Sequence, residues 1–145
     1  MMLPQHLIPD GPFGVILNAN AGRVTPRLAK SVQRLVGQDH VFLTETQAHA
    51  EEVVGLCIER EYPTIFAGGG DGTIMDTVNT LDKHRHDAPR LPKVGVLRLG
   101  TGNALARLMG SGRNPVRDLA TFKAGDVHKT VPLRMVRCEN TLFPF

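Results

Sequence analysis

The residues of this chain best suited to chemistry lie in two glycine-rich turns, Gly68-Gly69-Gly70-Asp71-Gly72-Thr73 and Gly100-Thr101-Gly102-Asn103. Glycines let a phosphate approach the backbone, where amides and a following helix N-terminus supply partial positive charge. Neither turn matches a common phosphate fingerprint. The P-loop lysine is absent, and the third glycine of the dinucleotide pattern is replaced by Leu105. Asp71 is the oddity: a carboxylate beside a phosphate repels it unless a Mg²⁺ lies between them or the carboxylate orients something else. Thr73 and Thr101 read as hydroxyl donors at the starts of two helices, suited to phosphate oxygens. A third small-residue segment, Asn18-Ala19-Asn20-Ala21-Gly22, completes the set.

All three segments fall where a strand gives way to a helix. Residues 13–18 are an apolar run that reads as a buried strand. Thr25 caps and Pro26 begins a helix, along which Leu28, Val32, Leu35 and Val36 recur at helical spacing until Gly37. Residues 41–43 predict a second strand, and Thr44 or Thr46 opens a helix with the stripe Ala50, Val53, Val54 and Cys57. Residues 64–67 predict a third strand, followed by the first glycine turn and a helix with the stripe Ile74, Val78 and Leu81. Residues 94–97 predict a fourth strand, the second glycine turn and a helix bearing Leu105, Leu108 and Met109. Asn114 and Pro115 cap and begin a last helix that ends near Gly125. From 127 to 138 the pattern alternates, with Val131, Leu133 and Met135 on one face, and predicts a strand outside the repeat. Four strand-helix repeats imply an α/β fold: a Rossmann-like parallel sheet with helices on both faces, binding its ligand at the carboxyl ends of the strands.

Composition narrows the class. A chain of 145 residues, 41% hydrophobic and 21% charged, suits a globular domain. A net charge of +3 fits an anionic ligand or membrane surface but falls short of a nucleic-acid footprint, so no nucleic-acid partner is expected. Cys57 and Cys138 form neither a disulfide scaffold nor a zinc site, which makes a reducing cytoplasm the default. No run approaches the length of a membrane span, and the first ten residues lack the basic start of a signal peptide.

Gly-Gly-Asp-Gly-Thr at 69–73, then Val78-Asn79, then Leu99-Gly100-Thr101-Gly102-Asn103 with Ala106-Arg107, resembles the diacylglycerol kinase catalytic domain family in order and spacing. Asn18 to Gly22 is similar to that family's first loop, with Ala19 for a proline, and Thr44 lines up with a nucleotide-contacting threonine. The resemblance implies the N-terminal domain of an NAD kinase/diacylglycerol kinase-like fold, with ATP and Mg²⁺ as cofactors. It implies a site of Asn18, Thr44, Gly69, Gly70, Asp71, Gly72, Thr73, Asp76, Gly100, Thr101 and Asn103, in which Asp71 organises phosphate and can take the metal. Three departures stand out: Asp76 for the usual glutamate, Met75 for asparagine, and Arg98 for the proline ahead of Leu99.

By the same resemblance, residues 1–12 are a flexible leader, 13–126 the ATP-binding domain, and 127–145 lead toward a β-rich domain that carries the general base and the lipid pocket. The implied reaction is ATP-dependent phosphoryl transfer to the hydroxyl of a diacylglycerol-type lipid, in the cytoplasm or at the inner face of the membrane. NAD kinase shares Gly-Gly-Asp-Gly-Thr and remains an alternative enzyme; a nucleotide-binding module without catalysis is the alternative outside enzymes. The chain alone is expected not to turn over lipid, and its apolar end at Leu142, Phe143 and Phe145 favours self-association, as in a homodimer. Arg23 and Arg107 adjoin the turns and can clamp phosphate, while Arg98 reaches a phosphate or points to solvent. His84 and His86 have metal-binding spacing but sit among Lys83 and Arg85, and read as a solvated loop. Lys123, Lys129, Arg134 and Arg137 can attract anionic headgroups but read as scattered surface charge.

Overall fold

A computed structural model describes residues 12–125 and 130–144. Four parallel strands form the main sheet: β1 (Gly14–Asn18), β2 (Val41–Thr44), β3 (Thr64–Gly69) and β4 (Lys93–Arg98), in the order β2-β1-β3-β4. Chain direction across the sheet reverses between β1 and β3, where Leu17 pairs with both Leu43 and Gly68. In open α/β sheets such a reversal opens a crevice at the carboxyl ends of the strands. The helices are α1 (Pro26–Val36), α2 (Gln47–Glu59), α3 (Asp71–Lys83), α4 (Ala104–Leu108) and α5 (Pro115–Lys123).

Period-2 alternation divides the strand side chains between two cores. Val15, Leu17, Phe66 and Leu97 face one side, where α1 and α5 bring Ala29, Val32 and Leu119 against them. Ile16 and Ile65 face the other, against Val53, Val54 and Cys57 of α2 and Leu81 of α3. Ala67 and Val96 meet Ile74, Leu105 and Ala106 beside them. Helices therefore cover both faces, as the repeats predict. Three rings seal the α1/α5 side: Phe13, Phe66 and Phe122 meet edge to face with centroids 4.9–5.4 Å apart. Burial makes Cys57 a packing residue and pushes its thiol up to about 11.

Helix ends follow local chemistry. The Thr25 hydroxyl accepts from the Leu28 amide 3.1 Å away, Pro26 fills the first position of α1, and Gly37 ends it at φ 106°. Thr46, not Thr44, caps α2 by accepting from the His49 amide. Asn114 caps α5.

Three expectations need correction. The predicted strand 127–138 is shorter: β5 (Met135–Cys138) pairs antiparallel with β6 (Thr141–Pro144), while residues 130–134, with Val131 and Leu133, carry no regular structure. Alternation alone cannot make a strand where no partner lies alongside. Leu108 is 71% exposed, because α4 is one short turn and buries only Leu105 and Ala106. The stripe of α3 is mixed: Thr77 and Thr80 are buried with Ile74 and Leu81, while Val78 is only half-buried. The leader residues 1–11, with Asp126, Lys129 and Phe145, lie outside the described residues.

The β5–β6 hairpin docks on the C-terminal half of α3. Asn79 exchanges two hydrogen bonds with the Leu142 backbone, and Arg137 grips Asp82 through two contacts of 2.8 Å. Two of the four cations near this end are thus engaged within the fold, since Lys123 also donates to the Leu35 carbonyl. Hydrogen bonding from Arg137 holds the Asp82 carboxyl below its usual value, so the grip is complete above about pH 4 and is lost as pH falls further. Protection of the Leu142 amide, its exchange corrected for the intrinsic pH dependence, should therefore fall on acidification below about pH 4, and Asp82→Asn should show the lower protection already at neutral pH.

Candidate nucleotide-binding site

Asp71 sets the geometry at the carboxyl edge. It occupies the first turn of α3, yet its carboxylate reaches across to the second glycine turn, where Oδ2 accepts from the Ala104 amide (3.1 Å) and Oδ1 from the Leu105 amide (2.9 Å). Those are the first two amides of α4, a helix with no side-chain cap of its own. Asp71 is therefore its cap in trans. Of the two roles left open by the sequence, these two contacts serve the orienting one. A carboxylate has about four lone-pair sites, so these bonds leave it further acceptor capacity.

Backbone contacts tighten the union. A Cβ on Gly100 would collide with Cα and N of Gly70, so residue 100 must be glycine for the two turns to touch. Asn103 takes a left-handed conformation (φ 55°) and folds back, accepting from the Gly100 amide at 2.8 Å and donating to the Gly100 carbonyl. Its side chain is buried and engaged within its own turn. Gly69 is required for a similar reason: a Cβ there would lie 2.5 Å from the Thr73 hydroxyl. The first loop joins through Asn18, whose Nδ2 donates to Thr73 Oγ1 (2.9 Å), and through the Arg23 amide, which donates to the Leu99 carbonyl. Three loops are stitched together at one edge.

Gly70 and Gly72 differ from their neighbours. A Cβ on Gly70 would meet nothing nearer than Gly100 Cα at 3.6 Å, and one on Gly72 would meet nothing within 4 Å. Neither has a positive φ. The fold does not require glycine at either position, and both lie at the N-terminus of α3, which has no side-chain cap. Open backbone amides on an uncapped helix start suit an anion that comes close.

Beside them a cleft of about 120 Å³ opens between α2 and α3, lined by Asn18, Thr44, Thr73 and Asp76. Cavities that enclose a whole small-molecule ligand run to about 300–1,000 Å³, so this one accommodates one end of a ligand. Thr44 is buried at its wall. Sequence reasoning missed Asn20, Gln47, Thr77 and Thr80 in the lining. Thr77 and Thr80 follow Thr73 at helical spacing, and that hydroxyl stripe was the available signal.

Of the residues singled out from sequence, Asn18, Thr44, Thr73 and Asp76 meet at the cleft, and Gly69, Gly70, Asp71, Gly72, Gly100 and Asn103 meet in the joined turns. Thr101 lies in neither the cleft nor a helix start: it is exposed, three residues before α4. The short turn after Gly100 delays the helix to Ala104, because Asn103 is left-handed. Among the described residues no three His, Cys, Asp or Glu side chains gather to hold a metal, and His84 and His86 lie in the loop after α3.

Comparison with known proteins places this geometry. The diacylglycerol kinase catalytic domain family matches residues 12–135, and the chain belongs to that family. It is 34% identical to diacylglycerol kinase 3 of Arabidopsis thaliana over 137 residues, covering 76% of this chain and 28% of that protein. It is 33% identical over 107 residues to a YegS-like lipid kinase of Pseudomonas aeruginosa, covering 73% and 34%. A diacylglycerol kinase crystal structure from Bacillus anthracis superposes with a TM-score of 0.68 at 19% identity, over 91% of this chain and 49% of that one, a likeness of fold. The chain thus spans about a third or less of these curated relatives and about half of the solved structure.

The joined turns predict opposite outcomes for two similar substitutions. Gly100→Ala should cost about 1–3 kcal/mol, the range for forcing extra atoms into a packed site. Gly70→Ala should stay within about 1 kcal/mol of the parent. Asp71→Ala should cost about 1.5–3 kcal/mol for each charge-assisted bond removed from α4. Urea unfolding of the three variants checks the order.

Proposed function

We propose that the chain forms the nucleotide-binding part of an ATP-dependent lipid kinase, which transfers the γ-phosphoryl group of ATP to the hydroxyl of a diacylglycerol-type lipid. The observation that carries this reading is the pair Gly70 and Gly72: the fold does not need them, they lie at an uncapped helix start, and they adjoin the Asn18–Thr44–Thr73–Asp76 cleft. One end of the nucleotide enters the cleft and the phosphates lie across the glycine backbone, with Thr101 offering its hydroxyl from the exposed turn. Family membership and the names of the relatives support kinase chemistry.

In the reaction the bond from γ-phosphorus to the bridging oxygen breaks, the lipid oxygen bonds phosphorus in its place, ADP leaves, and the hydroxyl proton passes to a base. Mg²⁺ fits only in part. Asp71 would offer it the remaining lone pairs of its carboxylate, and the ion would supply charge neutralisation at the transferred group. The lipid pocket and the base belong to a β-rich domain beyond these residues. Glu139 is a poor base, since it sits in the hairpin turn at φ 54° on the far half of α3 from the glycine turns. The partner is lipid at a membrane surface, approached from the cytoplasm; among the described residues no helix is long and apolar enough to cross a membrane. Exposed Val136 and Phe143 on the hairpin are the surface through which copies would self-associate.

Asp71→Ala cannot test ATP binding, because it also uncaps α4. Gly70→Ala can. Calorimetric titration should show ATP affinity reduced about tenfold or more in Gly70→Ala with stability retained, and Thr101→Val should lose about 1.5–3 kcal/mol of binding if its hydroxyl meets a charged phosphate oxygen. Equal affinity in Gly70→Ala and the parent chain would exclude the glycine turn. Phosphatidic acid formation from labelled ATP and diacylglycerol in mixed micelles tests the acceptor: the full-length enzyme should produce it and this chain should not.

A further inference from the structure

The amino-terminal ends of the strands carry a polar cluster that the cleft and the glycine turns leave unused. A single 3₁₀ turn (Gln38–His40) links α1 to β2, and residues 60–63 link α2 to β3. The two connections meet at Tyr62, which is only 5% exposed. His40 Nδ1 lies 2.6 Å from the phenol oxygen, and the two rings meet edge to face with centroids 5.6 Å apart. Arg60 Nη1 donates to the same oxygen (3.3 Å) and to the Asp39 carbonyl (2.9 Å), while its guanidinium lies over the Phe42 ring of β2. A Cβ on Gly14 would stand 3.3 Å from the Tyr62 ring, so the ring packs directly against β1.

These contacts fix where the protons lie. A guanidinium has no acceptor, so at the Arg60 contact the phenol oxygen accepts. The phenol hydrogen then needs an acceptor of its own, because a buried donor left unanswered destabilises the fold. Nδ1 serves as that acceptor only while it carries no proton. His40 is therefore the neutral imidazole with its hydrogen on Nε2. A proton added at Nδ1 would crowd a second donor onto the oxygen that Arg60 already meets, and would strand the phenol hydrogen.

We propose that His40, Tyr62 and Arg60 form an acid-released latch between the α1–β2 and α2–β3 connections, closed while His40 Nδ1 is unprotonated and opened by its protonation. The folded state holds the neutral ring, so the latch stabilises the fold at neutral pH and above, and this contribution is lost as pH falls through the range in which imidazoles become charged. Several other titratable groups face the cluster. Asp39 adjoins His40, Cys57 packs beside the Tyr62 ring with its thiol pushed up to about 11, and a cavity of about 550 Å³ has Glu59, Glu61, His84, Asp87 and Arg90 in its lining together with Tyr62. Carboxylates ordinarily discharge below the imidazole range and arginine stays charged throughout it, which leaves His84 as the one rival to His40 among these groups. The latch lies at the strand ends opposite the glycine turns and does not rest on the nucleotide reading.

Tyr62 is the chain's one tyrosine and there is no tryptophan, so tyrosine emission reads this site directly. Emission of the parent chain should change along a one-proton curve between about pH 8 and pH 5. The change should persist in His84→Gln and vanish in His40→Asn, whose amide oxygen can accept from the phenol without titrating. Acidification over the same range should lower the melting temperature of the parent chain by more than that of His40→Asn. Nitrogen NMR of the parent chain, which needs no variant, should find the His40 hydrogen on Nε2 alone at about pH 8 and on both ring nitrogens at about pH 5. A hydrogen on Nδ1 at the alkaline end, a flat emission curve in the parent chain, a change that persists in His40→Asn or disappears in His84→Gln, or an equal fall in melting temperature would each overturn the latch.

Discussion

The carboxylate of Asp71, capping α4 from the first turn of α3, is the interaction on which the rest of the edge depends. It joins two turns that leave neighbouring strands, and it does so with charge-assisted bonds to amides that have no partner within their own helix. Close approach of Gly70 and Gly100 is then forced, and with it glycine at 100. Asn103 must turn left-handed to let the chain re-enter a helix at Ala104, and its side chain returns to Gly100 to hold that bend. Without the carboxylate, α4 would present bare first-turn amides and be held by the packing of Leu105 and Ala106 and the Asn103 bend alone.

That constraint divides the two-turn motif by purpose. Gly69, Gly100, Asn103 and Asp71 are accounted for by contacts within the protein. Gly70, Gly72 and the side chains of Thr101 and Asp76 have no such contact among the described residues, and we propose that they meet the ligand. Motif matching treats all eight alike, whereas a Cβ placed on each glycine separates them at once. The division also changes how variants are read, since a lost function at Asp71 reports first on the position of α4.

Much of the fold was legible because its causes are local. Thr25, Pro26 and Gly37 bound α1 through bonds three or four residues long, and Val53, Val54 and Cys57 of α2 are buried as their helical spacing predicts. Failures came where the cause is distant. The α4 cap spans 33 and 34 residues, so the sequence offered only the puzzle of a misplaced carboxylate. Alternation through Val131 and Leu133 suggested strand, but pairing decides strands, and β5 finds its partner only from Met135.

The electrostatics of the edge follow from the same bond. A free aspartate in a phosphate loop would repel the ligand it was meant to serve, but Asp71 has two amides against its oxygens, which offset its charge where it stands. The N-terminus of α3 keeps its own amides unobstructed by any side-chain cap, and the dipole of a thirteen-residue helix points there. Arg98 at the end of the neighbouring β4 adds a formal positive charge, its Nε buried without a hydrogen-bond partner. The first turn of α3 therefore presents amide donors although its motif contains an acid.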